Sequence, residues 1–190
     1  MKRATYEDVL NAPENKVAEI LDGELVLSPR PSSRHAVTAS AIGMAIGNAF
    51  QQGVGGPGGW WILDEPELHF GEHVVVPDLA GWRREHMPAI PDVAFFTLAP
   101  DWVCEVLSPS TERIDRGRKL RIDAEAGVRH AWLVKPLDRT LEVLRLHDGA
   151  WMIVAVWEHT AVVRAEPFEA IELDLGRLWL DEAGAPVVSG

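Results

Sequence analysis

The run Trp102-Val103-Cys104-Glu105-Val106-Leu107 constrains this chain more than any other stretch. It is apolar on both faces except for one carboxylate, the composition of a central strand covered on both sides. Glu105 shares its face with Val103 and Leu107, and ionising an isolated carboxylate there is costly, so it needs a cation or a proton. Asp78 poses the same problem, because it follows Val74-Val75-Val76-Pro77 and precedes Leu79-Ala80. The two carboxylates can meet if their strands are neighbours. Alternation sends Cys104 to the other face, and no Cys-His motif accompanies it, which argues against a nucleophilic cysteine.

The segments around this strand predict its neighbours. Thr111 to Ala126 has helical composition with Gly127 as a stop, and Val128 to Val134 reads as a second buried strand. Strand, helix and strand in that order imply a right-handed crossover between parallel neighbours. Thr140–Leu146 and Trp151–Trp157, joined through His147-Asp148-Gly149, predict an antiparallel hairpin and hence a mixed sheet. Nearer the start, Asp22-Gly23 is placed to turn a hairpin between Glu19-Ile20-Leu21 and Glu24-Leu25-Val26-Leu27.

Thr5 can cap a short helix ending near Pro13, and Ser32 or Ser33 a longer one running to about Gln52. The glycine-rich run from Gly53 to Gly59 lacks the Lys-Ser/Thr of a phosphate-binding loop and reads as a flexible linker. Trp60–Leu63, Glu67–Phe70 and Val74–Val76 read as a three-strand meander ending at Pro77-Asp78, followed by a loop holding Pro88 and Pro91. The fold class is α/β (α+β): a central mixed sheet flanked by helices, with additional hairpins.

With 190 residues and 47% hydrophobic content, the chain suits one compact domain, expected over 1–182, with 183–190 as a frayed tail. A single cysteine excludes an intramolecular disulfide and favours a reducing, cytoplasmic compartment. No apolar run approaches the ~20 residues needed to span a bilayer, so no membrane association is expected. The formal charge of −11 counts against wide, non-specific binding along nucleic acid, although metal ions at carboxylates reverse charge locally.

Lys119 lies four residues after Asp115 and four before Asp123, so the three share one helix face just beyond the Glu105 strand. A lysine beside two carboxylates can orient a water and offset developing charge, while a metal lowers that water's pKa. This combination suits hydrolysis of a phosphodiester. His35, in the first turn of the long helix, is positioned to touch a phosphate, or else is a solvent-exposed histidine. Arg113, Arg116, Arg118, Lys119 and Arg121 form either a phosphate-facing stripe, with Arg116 as a substrate contact, or a mixed-charge solvated face with Glu112 and Asp115.

These motifs together resemble a known family, the Uma-type restriction endonucleases of bacteria, within the PD-(D/E)xK nuclease superfamily. The resemblance rests on Thr-Tyr-Glu-Asp at 5–8, Glu-Ile-Leu-Asp-Gly-Glu-Leu at 19–25, Ser-Pro with His35, Val-Val-Pro-Asp at 75–78 and Glu-Val-Leu-Ser-Pro-Ser-Thr at 105–111. Asp115, Lys119, Gly127-Val128 and Trp132-Leu133-Val134 complete it.

The resemblance implies a restriction-endonuclease-like fold in which Asp78 and Glu105 ligate a divalent ion, usually Mg²⁺ (or Mn²⁺). By the same resemblance Val106 offers its backbone carbonyl to the metal and Glu19 is an additional acidic residue of the catalytic set. The superfamily order is Glu-x-Lys, but Leu107 stands two after Glu105, so Lys119 must reach in from the following helix. Two further departures are Asp123, where relatives often have tyrosine, and Lys135 before Pro136, where an acidic residue or asparagine is common.

The expected function is therefore a Mg²⁺-dependent DNA endonuclease, acting as a homodimer so that two sites cut two strands. The competing reading is a nuclease-fold module that no longer cleaves and acts in protein or nucleic-acid binding. On the enzyme reading Asp78→Ala abolishes cleavage with little loss of stability, since it removes a repelling carboxylate.

Overall fold

The structure, a computed structural model, describes residues 3–180, so the tail expected to fray at 183–190 lies outside the described residues. A short helix, α1 (Tyr6–Leu10), opens the chain with a capping box between Thr5 and Asp8. Strands β1 (Lys16–Leu21) and β2 (Glu24–Pro29) form the expected hairpin, and Asp22 and Gly23 both take positive φ, 56° and 77°. Helix α2 (Ser33–Ile46) starts at Ser32, whose hydroxyl accepts from the His35 N–H, and continues as a π turn over Gly47–Gln51.

The principal sheet has six strands. It contains β3 (Trp60–Asp64), β6 (Leu79–Arg83), β7 (Trp102–Val106), β8 (His130–Lys135), β9 (Thr140–His147) and β10 (Ala150–Glu158), in the order β10-β9-β8-β7-β6-β3. Only β7 and β8 run parallel, so the sheet is mixed. A second sheet, β2-β1-β5-β4, includes β4 (Leu68–Phe70) and β5 (His73–Val75). The expected meander is thus divided between two sheets: β3 pairs with β6, while β4 and β5 join the first hairpin.

Strand β7 divides two cores by its alternation. Trp102, Cys104 and Val106 face a cluster containing Trp60, Trp132, Phe168 and the α2 residues Ile42 and Ile46. Val103 and Leu107 face a second cluster with Leu21, Val75, Ile122 and Leu133. Glu105 is on that second side, as expected.

Between β7 and β8 the helical segment is built from α3 (Glu112–Ile114), a π turn over Asp115–Lys119, and α4 (Leu120–Ala126). It ends at Gly127, whose φ of 86° is the left-handed conformation that a helix stop requires. The glycine-rich connection before β3 is packed, in contrast to the flexible linker expected: the Gly58 N–H donates to the Ala49 carbonyl at 3.0 Å. A Cβ on Gly56 would lie 2.6 Å from that of Ala49. Among the described residues no helix is long and apolar enough to cross a membrane.

Candidate active site

The antiparallel register of β6 and β7 pairs Leu79 with Cys104, and one further step brings Asp78 opposite Glu105. The two carboxylates that the sequence singled out therefore open onto one cleft. Asp78 is fixed there by the backbone: its Oδ2 accepts the Val106 N–H at 2.6 Å. Its other oxygen, Oδ1, lies 3.2 Å from His35 Nε2, at the start of α2. Burial opposes charge on that imidazole, but the carboxylates around it, Asp78 first and then Asp115 and Glu65, together raise the His35 pKa. His35 is consequently a partner of Asp78 and not a solvent-exposed histidine.

Lys119 enters from the π turn. Its Nζ lies 2.9 Å from Glu105 Oε1 and 3.2 Å from Glu19 Oε1, and donates to the Val76 carbonyl at 3.0 Å. Glu19 in turn accepts the Val76 N–H at 2.9 Å, so both backbone groups of Val76 are tied to the cluster. Asp115 is also close, 3.9 Å from Nζ. All four side chains, Glu19, Glu105, Asp115 and Lys119, are buried. Asp123 is buried on the same helix face but makes no ion pair with Lys119 among the described residues. Lys119 is oriented by Glu105, Glu19 and Asp115.

Negative charge exceeds positive in this cleft, and the titration behaviour follows. Burial pushes Glu105 well above the usual carboxylate range, with Lys119 opposing and Asp115 and Asp78 adding to the shift. Burial raises Asp115 to about 6 against the pull of Lys119. Lys119 itself holds its proton more tightly than an ordinary lysine, because the surrounding carboxylates outweigh its desolvation. The cleft, of about 290 Å³, is lined by Glu19, His35, Asp78, Glu105, Asp115 and Lys119, together with Val106.

Glu105 Oε1 is buried and lies close to Lys119 Nζ, but outside hydrogen-bonding directions, so it keeps an unused lone pair. With Asp78 it offers hard oxygen donors, the type Mg²⁺ takes through one or two carboxylates while keeping several waters. Among the described residues no group of three His, Cys, Asp or Glu side chains stands at metal-ligating spacing. The residues fit an ion held by two carboxylates and backbone or water oxygens.

Residues 3–176 match the family described as "Uma2: Putative restriction endonuclease". The chain belongs to the Uma2 family. Among solved structures it is similar to a crystal structure from Anabaena variabilis ATCC 29413, described as a "putative nuclease belonging to DUF820". That likeness has a TM-score of 0.74 at 22% identity, covering 93% of this chain and 97% of the other. The Uma2 chain thus has the restriction-endonuclease-like fold. No curated protein matches it.

One expected arrangement in this Uma2 chain is not formed. The cations between 113 and 121 do not make a free stripe facing phosphate. Arg116 lies outside the cleft lining and is forked onto Glu142, with its Nε 2.9 Å from Glu112. Arg118 pairs with Asp22 and Glu24, and Arg121 with Asp22 and Glu125. Arg116, Arg118 and Arg121 each find a carboxylate in this acidic protein, which a linear reading cannot foresee. The Asp78–His35 contact was equally hidden, because nothing in the spacing of 35 and 78 signals it.

Proposed function

We propose that this protein is a Mg²⁺-dependent endonuclease that hydrolyses phosphodiester bonds of DNA. The reading is carried by one observation: Asp78 just before β6, Glu105 on β7 and Lys119 on the π turn converge in a single cleft. Asp78 and Glu105 would hold the ion, with the Val106 carbonyl as a backbone ligand. When bound, the ion would lower the pKa of a coordinated water and offset charge on the phosphoryl oxygens.

The chain's own groups divide the remaining work. Lys119 retains its proton, which suits it to stabilise charge developing on the phosphate and not to accept a proton from water. Asp115, at about 6, is the cleft carboxylate best matched to take that proton near neutrality. Glu19 is a positioning residue, since it braces Lys119 and Val76 together. His35 orients the free edge of Asp78. A second copy would provide the second cut in a duplex, and edge strand β10, with Met152, Ile153 and Val156 exposed, offers a pairing surface.

The second reading is a non-cleaving binding module. It is favoured by the pairing of Arg116, Arg118 and Arg121 with carboxylates and by the charge of −11. Calorimetric titration of Mg²⁺ and Mn²⁺ into the wild type and Glu105→Gln, beside a supercoiled-plasmid nicking assay at low salt, separates the two. Metal binding lost in the variant together with metal-dependent nicking supports the enzyme. A wild type that neither binds metal nor nicks leaves the binding module.

A further inference from the structure

A second, apolar pocket of about 240 Å³ adjoins the carboxylate cleft and shares Ser32, His35, Ser108 and Pro109 with it. We infer that this pocket receives an unstacked base of the DNA strand beside the bond being cut, so that single-stranded or locally opened DNA is preferred over intact duplex. The inference rests on the nuclease reading of the neighbouring cleft.

Its chemistry suits one ring system. Leu107 and Pro136 are buried and form the apolar interior, while Pro109 and Leu137 are exposed walls. Leu137 stands 61% exposed in the turn between β8 and β9, an apolar side chain at the mouth of an apolar pocket. Proline and leucine are among the side chains that separate stacked bases. The volume falls below the roughly 300–1,000 Å³ of pockets that hold a whole drug-sized ligand, as expected for a site that takes part of a longer molecule.

Charge supports the same occupant. Arg34 lines the pocket and makes no ion pair or hydrogen bond among the described residues, unlike Arg116, Arg118 and Arg121. A free guanidinium lining this pocket, next in sequence to the shared His35, is placed for the phosphate of the same nucleotide. A chain of net charge −11 also tolerates one phosphate backbone better than the paired backbones of a duplex. Extracting a base from duplex carries an unpairing cost that a single strand avoids, which is the source of the preference.

The test uses one fluorescein-labelled DNA strand, alone and annealed to its complement. Cleavage with Mg²⁺ and equilibrium binding by anisotropy with Ca²⁺ are both measured. The proteins are the wild type, Leu137→Asp, Arg34→Glu and the charge-matched control Arg129→Glu at the opposite end of β8. Leu137 and Arg129 are exposed, and thermal melts confirm that each variant is folded. The wild type should prefer the single strand by about tenfold, Leu137→Asp should erase that preference, and Arg34→Glu should weaken both substrates more than Arg129→Glu does. Equal action on both forms by the wild type, or a preference that survives in Leu137→Asp, overturns the inference. Preferential binding that Leu137→Asp abolishes, without cleavage by any protein, upholds the pocket while the nuclease reading fails. Neither binding nor cleavage overturns both.

Discussion

Glu105 and Lys119 are buried together, and the Lys119 ammonium is the cation that lies against both Glu105 and Glu19. Lys119→Met leaves Glu105 and Glu19 buried without their cation, and unpairing a buried ion pair typically costs about 3–5 kcal/mol. We expect a loss of that order in urea unfolding at pH 8, smaller at pH 5 where the carboxylates can take protons. Asp78 has a second duty that its sequence context concealed. Its Oδ2 accepts the Val106 N–H, so Asp78→Ala orphans a buried donor at a cost of about 1–3 kcal/mol, and the expectation of little stability loss is revised. Asp78→Asn, which keeps an acceptor, should melt closer to the wild type while still losing metal in calorimetry. With Asp115 as the proposed proton acceptor, which acts only when ionised, kcat should rise with pH through about 6 and then level off. Asp115→Asn should flatten that limb. The carboxylates were legible because a charge inside an apolar run demands an explanation. His35 and Arg34 were not, because their roles depend on what the fold brings beside them.

At the scale of elements, one strand missed by the sequence reading is the one that places Asp78. Leu79-Ala80-Gly81-Trp82-Arg83 lacks alternation and carries a glycine in its middle, both of which read against a strand. Packing explains the glycine. A Cβ at Gly81 would lie 3.0 Å from Ile62 and 3.2 to 3.3 Å from the rings of Trp102 and Trp60. Gly81→Ala should therefore destabilise by about 1–3 kcal/mol in thermal unfolding, through overpacking and not through backbone strain. The two hairpins with Asp-Gly turns were readable because their turn chemistry is local. The division of β3, β4 and β5 between two sheets was not, since strand partners are chosen by long-range burial. The π turn at Asp115–Lys119 also leaves no local signature, yet it carries the lysine into the cleft.

For the whole molecule, the relevant quantity is charge. Asp115 at about 6 and Asp123 at about 7 have folded pKa values above their unfolded ones, burial being the largest cause in each. Such groups contribute stability below pH 4 that is lost as pH rises through 6 and 7, opposite to ordinary salt-bridged carboxylates. In the absence of divalent ions, the melting temperature of the wild type should fall between pH 5 and pH 8. In Asp123→Asn that fall should be shallower.

Lys119 is also held from behind. The indole N–H of Trp151, on β10, donates to the carbonyl of Leu120 at 2.6 Å, one residue beyond Lys119. The Arg118 guanidinium meets the Leu21 carbonyl at the end of β1. Because the ammonium is mounted on a helix and not on the strand that carries Glu105, its reach can be trimmed by changes at either anchor without altering a single carboxylate. A lineage could therefore tune the strength of the site, or retire it, from positions that no inspection of the cleft would mark as part of it.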